Sequence, residues 1–141
     1  MKKIVIIMGS SSDKPHADKI IAGMKQVDGY DISECSIDVY TASAHKDPLK
    51  VLGVLDAHKE HKALVYITIA GRSNALSGFC AANCTFPVIA CPPFADKVDM
   101  LVNINSTLQM PSKTPVLTVI DPGNAALAAL RILALADQDE A

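Results

Sequence analysis

Short apolar runs alternate with helix-period segments five times along this chain, and that alternation constrains the fold more than any other feature. Residues 3–8, apolar without a break from Ile4 to Met8, give a strand signal of the kind found where a strand is covered on both faces. The run ends in Gly9-Ser10-Ser11-Ser12-Asp13, after which Ala17, Ile20, Ile21 and Met24 recur at helical spacing and predict a helix over residues 14–27. Asp13 stands where a cap is expected, with Pro15 tolerated in the first turn. Residues 32–41 alternate more strongly, which predicts a second strand at a sheet edge. Beyond the loop Ser43-Ala44-His45-Lys46-Asp47-Pro48, Leu49, Leu52, Leu55 and His58 mark the expected buried stripe of a second helix. Residues 63–70 make the third and most apolar strand, followed by Gly71-Arg72-Ser73-Asn74 and a short helix over 75–83. Strands at 86–91 and 115–120, helices at 96–107 and 122–136, and a tail at 137–141 complete the pattern.

Five strand–helix alternations imply βαβ units with right-handed crossovers, hence a parallel sheet with helices on both faces. The expected fold is α/β: one doubly wound, five-stranded parallel sheet of flavodoxin-like order 2-1-3-4-5 in a three-layer sandwich. At 141 residues the chain makes a single domain, 1–141. With no tryptophan and only 4% aromatic residues, its core must be packed by Ile, Val, Leu and Ala, which suits helices lying close on a parallel sheet.

Half the residues are apolar, 20% are charged and the net charge is −2, which argues against disorder and against a nucleic-acid partner. No apolar run reaches the roughly 18 residues needed to span a bilayer, so no membrane association is expected. The start lacks a small-residue cleavage site after its apolar run, and the protein is expected in the cytoplasm. Cys35, Cys80, Cys84 and Cys91 are too scattered for a disulfide framework and read as free buried thiols. Residues 125–136 are apolar nearly all round, more than one sheet face covers, which predicts a homo-oligomer with Leu130 in a dry interface. An ordinary alanine-rich helix is the alternative.

In a doubly wound sheet, ligands bind at the carboxyl ends of the strands near the point where strand order reverses. The loops 9–13, 43–48 and 71–74 all fall at that edge. Gly9 to Asp13 at a helix start offers backbone N–H groups and hydroxyls suited to a phosphate; a serine-rich cap with no ligand is the alternative. Asp13 would repel a phosphate and suits sugar hydroxyls instead. The loop lacks the Walker lysine and the G-x-G-x-x-G spacing, so triphosphate and dinucleotide chemistry lack support. His45 is the one histidine in a loop at this edge and the natural proton carrier there, although a loop histidine is often simply exposed. Lys46 beside it can pair with a phosphate. His16, His58 and His61 read as solvent-facing or partly packed. Cys80 and Cys84 lack the partners of a four-ligand metal set, and no metal is expected. A serine hydrolase would need G-x-S-x-G, which is missing.

Taken together, the three loops, Pro87-Val88-Ile89-Ala90-Cys91-Pro92-Pro93 and Gly123-Asn124-Ala125-Ala126 resemble the aminoimidazole ribonucleotide carboxylase family of purine biosynthesis over nearly the whole chain. One branch of that family adds carbon dioxide to C4 of 5-aminoimidazole ribonucleotide; the other moves a carboxylate from N5 to C4. Both make 4-carboxy-5-aminoimidazole ribonucleotide. The mutase branch typically reads Ser-Ala-His-Arg and has a longer third loop containing a histidine. Here Lys46 replaces that arginine, and the third loop is short and has no histidine, so the chain is most similar to the direct carboxylase branch. Asp47 and Ala75 are small departures from the family pattern.

The resemblance implies proton transfer at C4 by His45 and contacts to the ribose phosphate from Ser10, Asp13, Ser43 and Lys46, with Ser12 and Asn74 among the substrate-binding set. It implies that Gly71, Arg72 and Ser73 line the base and carbon dioxide pocket, that no cofactor is needed, and that the protein is a homo-octamer with sites at subunit boundaries. An aminoimidazole is an enamine whose C4 attacks carbon dioxide without biotin, metal or ATP, so one positioned base to take the C4 proton is sufficient. The alternatives are the N5-carboxyaminoimidazole ribonucleotide mutase and a non-catalytic phosphoribosyl-ligand binding module, which would need the phosphate cradle but no proton carrier.

Overall fold

The structure, a computed structural model, describes residues 1–140. Five parallel strands, β1 (Lys2–Met8), β2 (Cys35–Thr41), β3 (Leu64–Ile69), β4 (Val88–Ala90) and β5 (Leu117–Thr118), lie in the order β2-β1-β3-β4-β5. The helices are α1 (Lys14–Lys25), α2 (Pro48–His58), α3 (Leu76–Ala82), α4 (Lys97–Asn103), α5 (Asn105–Leu108) and α6 (Pro122–Ala134). The sheet order and the expected edge position of β2 are as the alternation predicts. β1 and β3 adjoin in register, Ile4 opposite Val65 and Ile6 opposite Ile67, so the reversal of strand order falls between their carboxyl ends.

Strand side chains alternate faces, and that explains the continuous apolar runs. Ile4, Ile6 and Met8 of β1 with Val65, Ile67 and Ile69 of β3 pack under α1 and α6. Val5 and Ile7 with Leu64 and Tyr66 pack under α2 and α3 on the other side.

Several boundaries differ from expectation. Residues 32–34, expected as strand, form a 3₁₀ turn whose start is held by Asp31 accepting from the Ser33 N–H at 3.0 Å. The single helix expected at 96–107 breaks into α4 and α5, where the Ser106 hydroxyl donates to the Asn103 carbonyl at 2.9 Å and competes with the helical ladder. β4 and β5 are shorter than their apolar runs. Residues 135–140, which take in most of the expected tail, form a 3₁₀ turn tied to β1 by Lys2 and Asp137 at 2.7 Å; Ala141 lies outside the described residues. Asp13 makes no side-chain cap on α1; Ser10 instead accepts from the Ser12 N–H at 3.2 Å and caps the 3₁₀ turn Ser11–Asp13 that leads into it.

Two predicted burials are overturned. On α2 the covered stripe is Val51, Val54, Leu55 and His58, whereas Leu49 is 78% exposed and Leu52 also faces out. Leu49 and Leu55 lie six residues apart, on different helix faces, and the sheet captures the face carrying the β-branched valines. On α6, Ala125, Ala126, Ala129, Leu130 and Leu133 are buried within the protomer. The sheet covers one side and α1 the other, in an approach so close that a Cβ on Gly23 would stand 3.1 Å from Gly123 Cα. Leu130, only 5% exposed, is thus a core residue and not an interface residue. Exposed apolar side chains sit elsewhere, above all Val98, Leu101 and Val102 of α4.

His58 donates from Nδ1 to the Val54 carbonyl at 2.8 Å and faces Asp38 with Nε2 at 3.3 Å, while Lys3 Nζ reaches the same Asp38 oxygen at 2.8 Å. This pins the β2 edge to β1 and α2. The Lys3 hydrogen bond, with a smaller part from His58, holds the Asp38 carboxyl below its ordinary value of 3.8. Its contribution to stability is present above that value and is lost as pH falls through the depressed one. Asp38→Ala is expected to cost about 1 kcal/mol at neutral pH, and the deficit should vanish at acid pH in chemical denaturation of the two proteins.

Candidate active site

The loops after β1, β2 and β3 converge on one cleft of about 450 Å³ at the carboxyl edge of the sheet. Ser10, Ser12, Asp13, Ser43, His45, Lys46, Gly71, Arg72 and Ser73 all line it.

In the first loop the Ser10 and Ser12 hydroxyls pair at 2.9 Å, and the Asp13 N–H bonds to the Ser10 carbonyl at 3.0 Å. The turn presents its hydroxyls at the start of α1, where free N–H groups and the helix dipole favour an anion. Burial raises the Asp13 carboxyl above its ordinary value, opposed by a backbone hydrogen bond at Ser10 and by nearby His16. Behind it, His16 Nε2 lies 3.4 Å from Cys91 Sγ. Burial pushes that thiol up to about 12 and lowers the histidine, so the pair stays neutral and packs rather than reacts.

The second loop is a tight turn. Ser43 Oγ accepts from the Lys46 N–H at 3.1 Å and the Ser43 carbonyl from the Asp47 N–H at 2.8 Å. Asp47 then caps α2 by accepting from the Lys50 N–H at 3.3 Å, with Pro48 in the first turn. His45 and Lys46 are left exposed at the tip, on a backbone held from both ends.

The third loop is held from below. A Cβ on Gly71 would stand 2.8 Å from the Pro93 carbonyl oxygen, so only glycine lets this loop lie against the segment after β4. Asn74 departs from the predicted substrate-binding set: it is 3% exposed and sits behind the wall of the cleft. Its amide nitrogen donates to Ser77 Oγ at 2.7 Å and Thr107 Oγ1 at 3.0 Å, and its oxygen accepts from the Ser77 N–H at 3.1 Å. Ser77 in turn meets Thr68 Oγ1 of β3 at 2.7 Å. Asn74 therefore ties the loop to β3, α3 and α5.

Among the lining residues outside the predicted set are Ala95 and Asp99, from the segment after β4, and Pro93, which the sequence reading quotes only within the motif at residues 87–93. The rule that loops at the carboxyl edge share a site applies equally to this loop, which carries no glycine or histidine to attract notice. Asp99 lies low in the wall, accepting from the Ala95 N–H at 2.8 Å and from Asn103 Nδ2 at 2.6 Å, with Arg72 Nε at 3.5 Å. The Ala95 bond, more than the nearby Arg72 charge, holds its carboxyl below the ordinary value.

Among the described residues, no three His, Cys, Asp or Glu side chains converge as metal ligands. Cys80 is sealed in the core, with its thiol pushed up to about 12 by burial. No helix among the described residues is long and apolar enough to cross a membrane.

The cleft thus offers an anion-suited turn, an exposed imidazole beside a lysine, and a close-packed third loop carrying an arginine. Comparison with known proteins supplies the family. The family profile described as AIR carboxylase matches residues 3–141. A protein of Archaeoglobus fulgidus named phosphoribosylaminoimidazole carboxylase is 44% identical over 138 residues, covering 96% of this chain and 71% of its own. A protein of Methanocaldococcus jannaschii named N5-carboxyaminoimidazole ribonucleotide mutase is also 44% identical, covering 96% of this chain and 82% of its own. The crystal structure of Treponema denticola PurE superposes with a TM-score of 0.83 at 40% identity, covering 96% of this chain and 82% of that one. One family accounts for almost every residue from the first strand to the last helix: the chain belongs to the AIR carboxylase family and is an enzyme of purine biosynthesis with carboxylase or mutase activity.

Proposed function

We propose that the protein reversibly carboxylates 5-aminoimidazole ribonucleotide at C4 with carbon dioxide, giving 4-carboxy-5-aminoimidazole ribonucleotide in the cytoplasm. The observation that carries this reading is His45, exposed in a cleft whose third loop is the short Gly71-Arg72-Ser73-Asn74 without a histidine. The ribose phosphate lies against Ser10, Ser12, Ser43 and Lys46, and Asp13 accepts from the sugar hydroxyls. The enamine electrons of the aminoimidazole form the bond from C4 to the carbon of carbon dioxide, whose second C–O π pair moves to oxygen. The tetrahedral C4 then gives its proton to the His45 imidazole and the ring regains aromaticity; decarboxylation is the reverse, with His45 returning the proton. Gly71, Arg72 and Ser73 hold the gas over C4 among small groups and donors, so that attack becomes a positioned, near-unimolecular step.

The Methanocaldococcus relative's name favours a second reading, transfer of the carboxylate from N5 to C4 in N5-carboxyaminoimidazole ribonucleotide. Incubating the protein with 5-aminoimidazole ribonucleotide and bicarbonate-derived carbon dioxide, without ATP, decides between them. Product from that mixture supports direct carboxylation, and activity only with the N5-carboxylated substrate overturns it. A non-catalytic binding module has no support in a family of enzymes. A homo-oligomer, of the octameric kind that the resemblance implies, belongs to the same proposal, supported by the exposed apolar Val98, Leu101 and Val102 of α4 rather than by α6.

Lys46 contacts a phosphate that does not react, so its charge helps ground and transition states alike. Lys46→Ala is expected to raise KM for the ribonucleotide by about ten- to a hundredfold and leave kcat within a few fold in steady-state kinetics. An unchanged KM would remove Lys46 from the phosphate site.

A further inference from the structure

We propose that Asp99 is the positioning residue for Arg72, holding its guanidinium so that the free edge meets the carboxylate on C4 of the carboxylated nucleotide. The inference rests on the proposed reaction and adds a recognition element to it. The cleft holds two carboxylates, and the reaction uses only Asp13. Asp99 belongs to α4, an element that the mechanism otherwise leaves idle.

Helix capping accounts for only half of this side chain. Asp96 caps α4 by accepting from the Asp99 N–H at 2.8 Å, and Asp99 Oδ2 reaches back to the Ala95 N–H at 2.8 Å, close to a reciprocal capping box. Oδ1 has a different task. It accepts from Asn103 Nδ2 at 2.6 Å and stands 3.5 Å from Arg72 Nε on the loop after β3. The Asp99 side chain is 11% exposed and braced on both oxygens, while that of Arg72 is 75% exposed. The rigid partner therefore sets the position of the flexible one.

A contact at Nε leaves both terminal Nη groups of the planar fork, with four N–H donors, unclaimed by Asp99. Two parallel N–H bonds from a fixed plane are the geometry that recognises a carboxylate. The ligand supplies the need: both nucleotides carry the phosphate assigned to Lys46, and only the product carries a second anion, at C4. The pair is also well placed, because Arg72, Ser73, Ala95 and Asp99 line both the cleft and the shallow groove beside it, making the ion pair part of the wall between them.

The experiment compares equilibrium binding of 5-aminoimidazole ribonucleotide with that of 4-carboxy-5-aminoimidazole ribonucleotide. It uses the wild type, Asp99→Asn, Arg72→Ala and the double variant, with melting temperatures alongside. Asp99→Asn keeps an acceptor for the Ala95 N–H and loses the charge. It should weaken the carboxylated ligand by about three- to fivefold and leave the other within about twofold. In the Arg72→Ala background the same change should have no further effect on binding. Equal losses for both ligands, or an undiminished effect without Arg72, overturn the proposal and leave Asp99 a helix cap. Should Asp99→Asn fail to fold, Asn103→Ala, which removes the brace and spares the cap, is read by the same two criteria. Wild-type protein that binds neither nucleotide overturns the proposed reaction itself, before any variant is compared.

Discussion

His45→Asn is expected to lower turnover by about 10²–10⁴ while nucleotide binding stays within a few fold, the range for removing a general acid–base. Asparagine approximates the size of imidazole and keeps a hydrogen-bonding end, but its amide neither takes up nor releases a proton near neutral pH. The local structure favours a clean separation of effects. The turn around His45 is held by Ser43 and Asp47, not by the ring, so replacing the side chain leaves the Lys46 N–H bonded to Ser43 and α2 capped. In deuterated solvent, wild-type protein should wash label into C4 of bound nucleotide through reversible decarboxylation, and the variant should not. A folded His45→Asn protein that retained most of its turnover would remove the histidine from the chemistry.

Leu130→Glu is expected to abolish the cooperative fold. Leu130 is 5% exposed and belongs to the apolar cluster of Met24, Ala126 and the strand residues beneath α6, and Lys2, which lines a surface pocket with it, is already paired with Asp137. An unpaired charge there costs at least several kcal/mol, comparable to the roughly 5–15 kcal/mol that holds a whole domain folded. Circular dichroism should show no native melting transition. The matched change Leu101→Glu falls on a side chain that is 69% exposed on α4, so the protomer should fold normally. If α4 is a subunit contact, light scattering will show Leu101→Glu dissociated or reduced in size. An assembly of unchanged mass would clear that face of the role. A Leu130→Glu protein that folded and merely dissociated would restore α6 as the interface.

The different fates of α6 and α4 mark the limit of what periodicity reports. A stretch that is apolar all round must be covered, and the sequence says so; it does not say by what. Here α1 supplies the cover over the face that carries Leu130, because Gly23 and Gly123 let the two helices approach closely. Leu49 and Leu52 fail for a related reason: a helix with apolar residues on several faces is oriented by the sheet it packs on, and α2 turned its valines inward.

Sheet order, the edge strand and the three converging loops were legible in the sequence alone, because alternation, run length and polar breaks at strand ends are local properties of the chain. The place of His45, Lys46, Ser10 and Ser12 at the cleft was legible for the same reason, each standing in a short motif at a predictable edge. Only the tertiary structure decided the rest. It withdrew Asn74 into a network with Ser77 and Thr107, the latter 33 residues away along the chain, and it brought Asp99 from α4 to Arg72 on the loop after β3. Pairings across such distances arise from how the layers stack and leave no pattern in the residues near either partner.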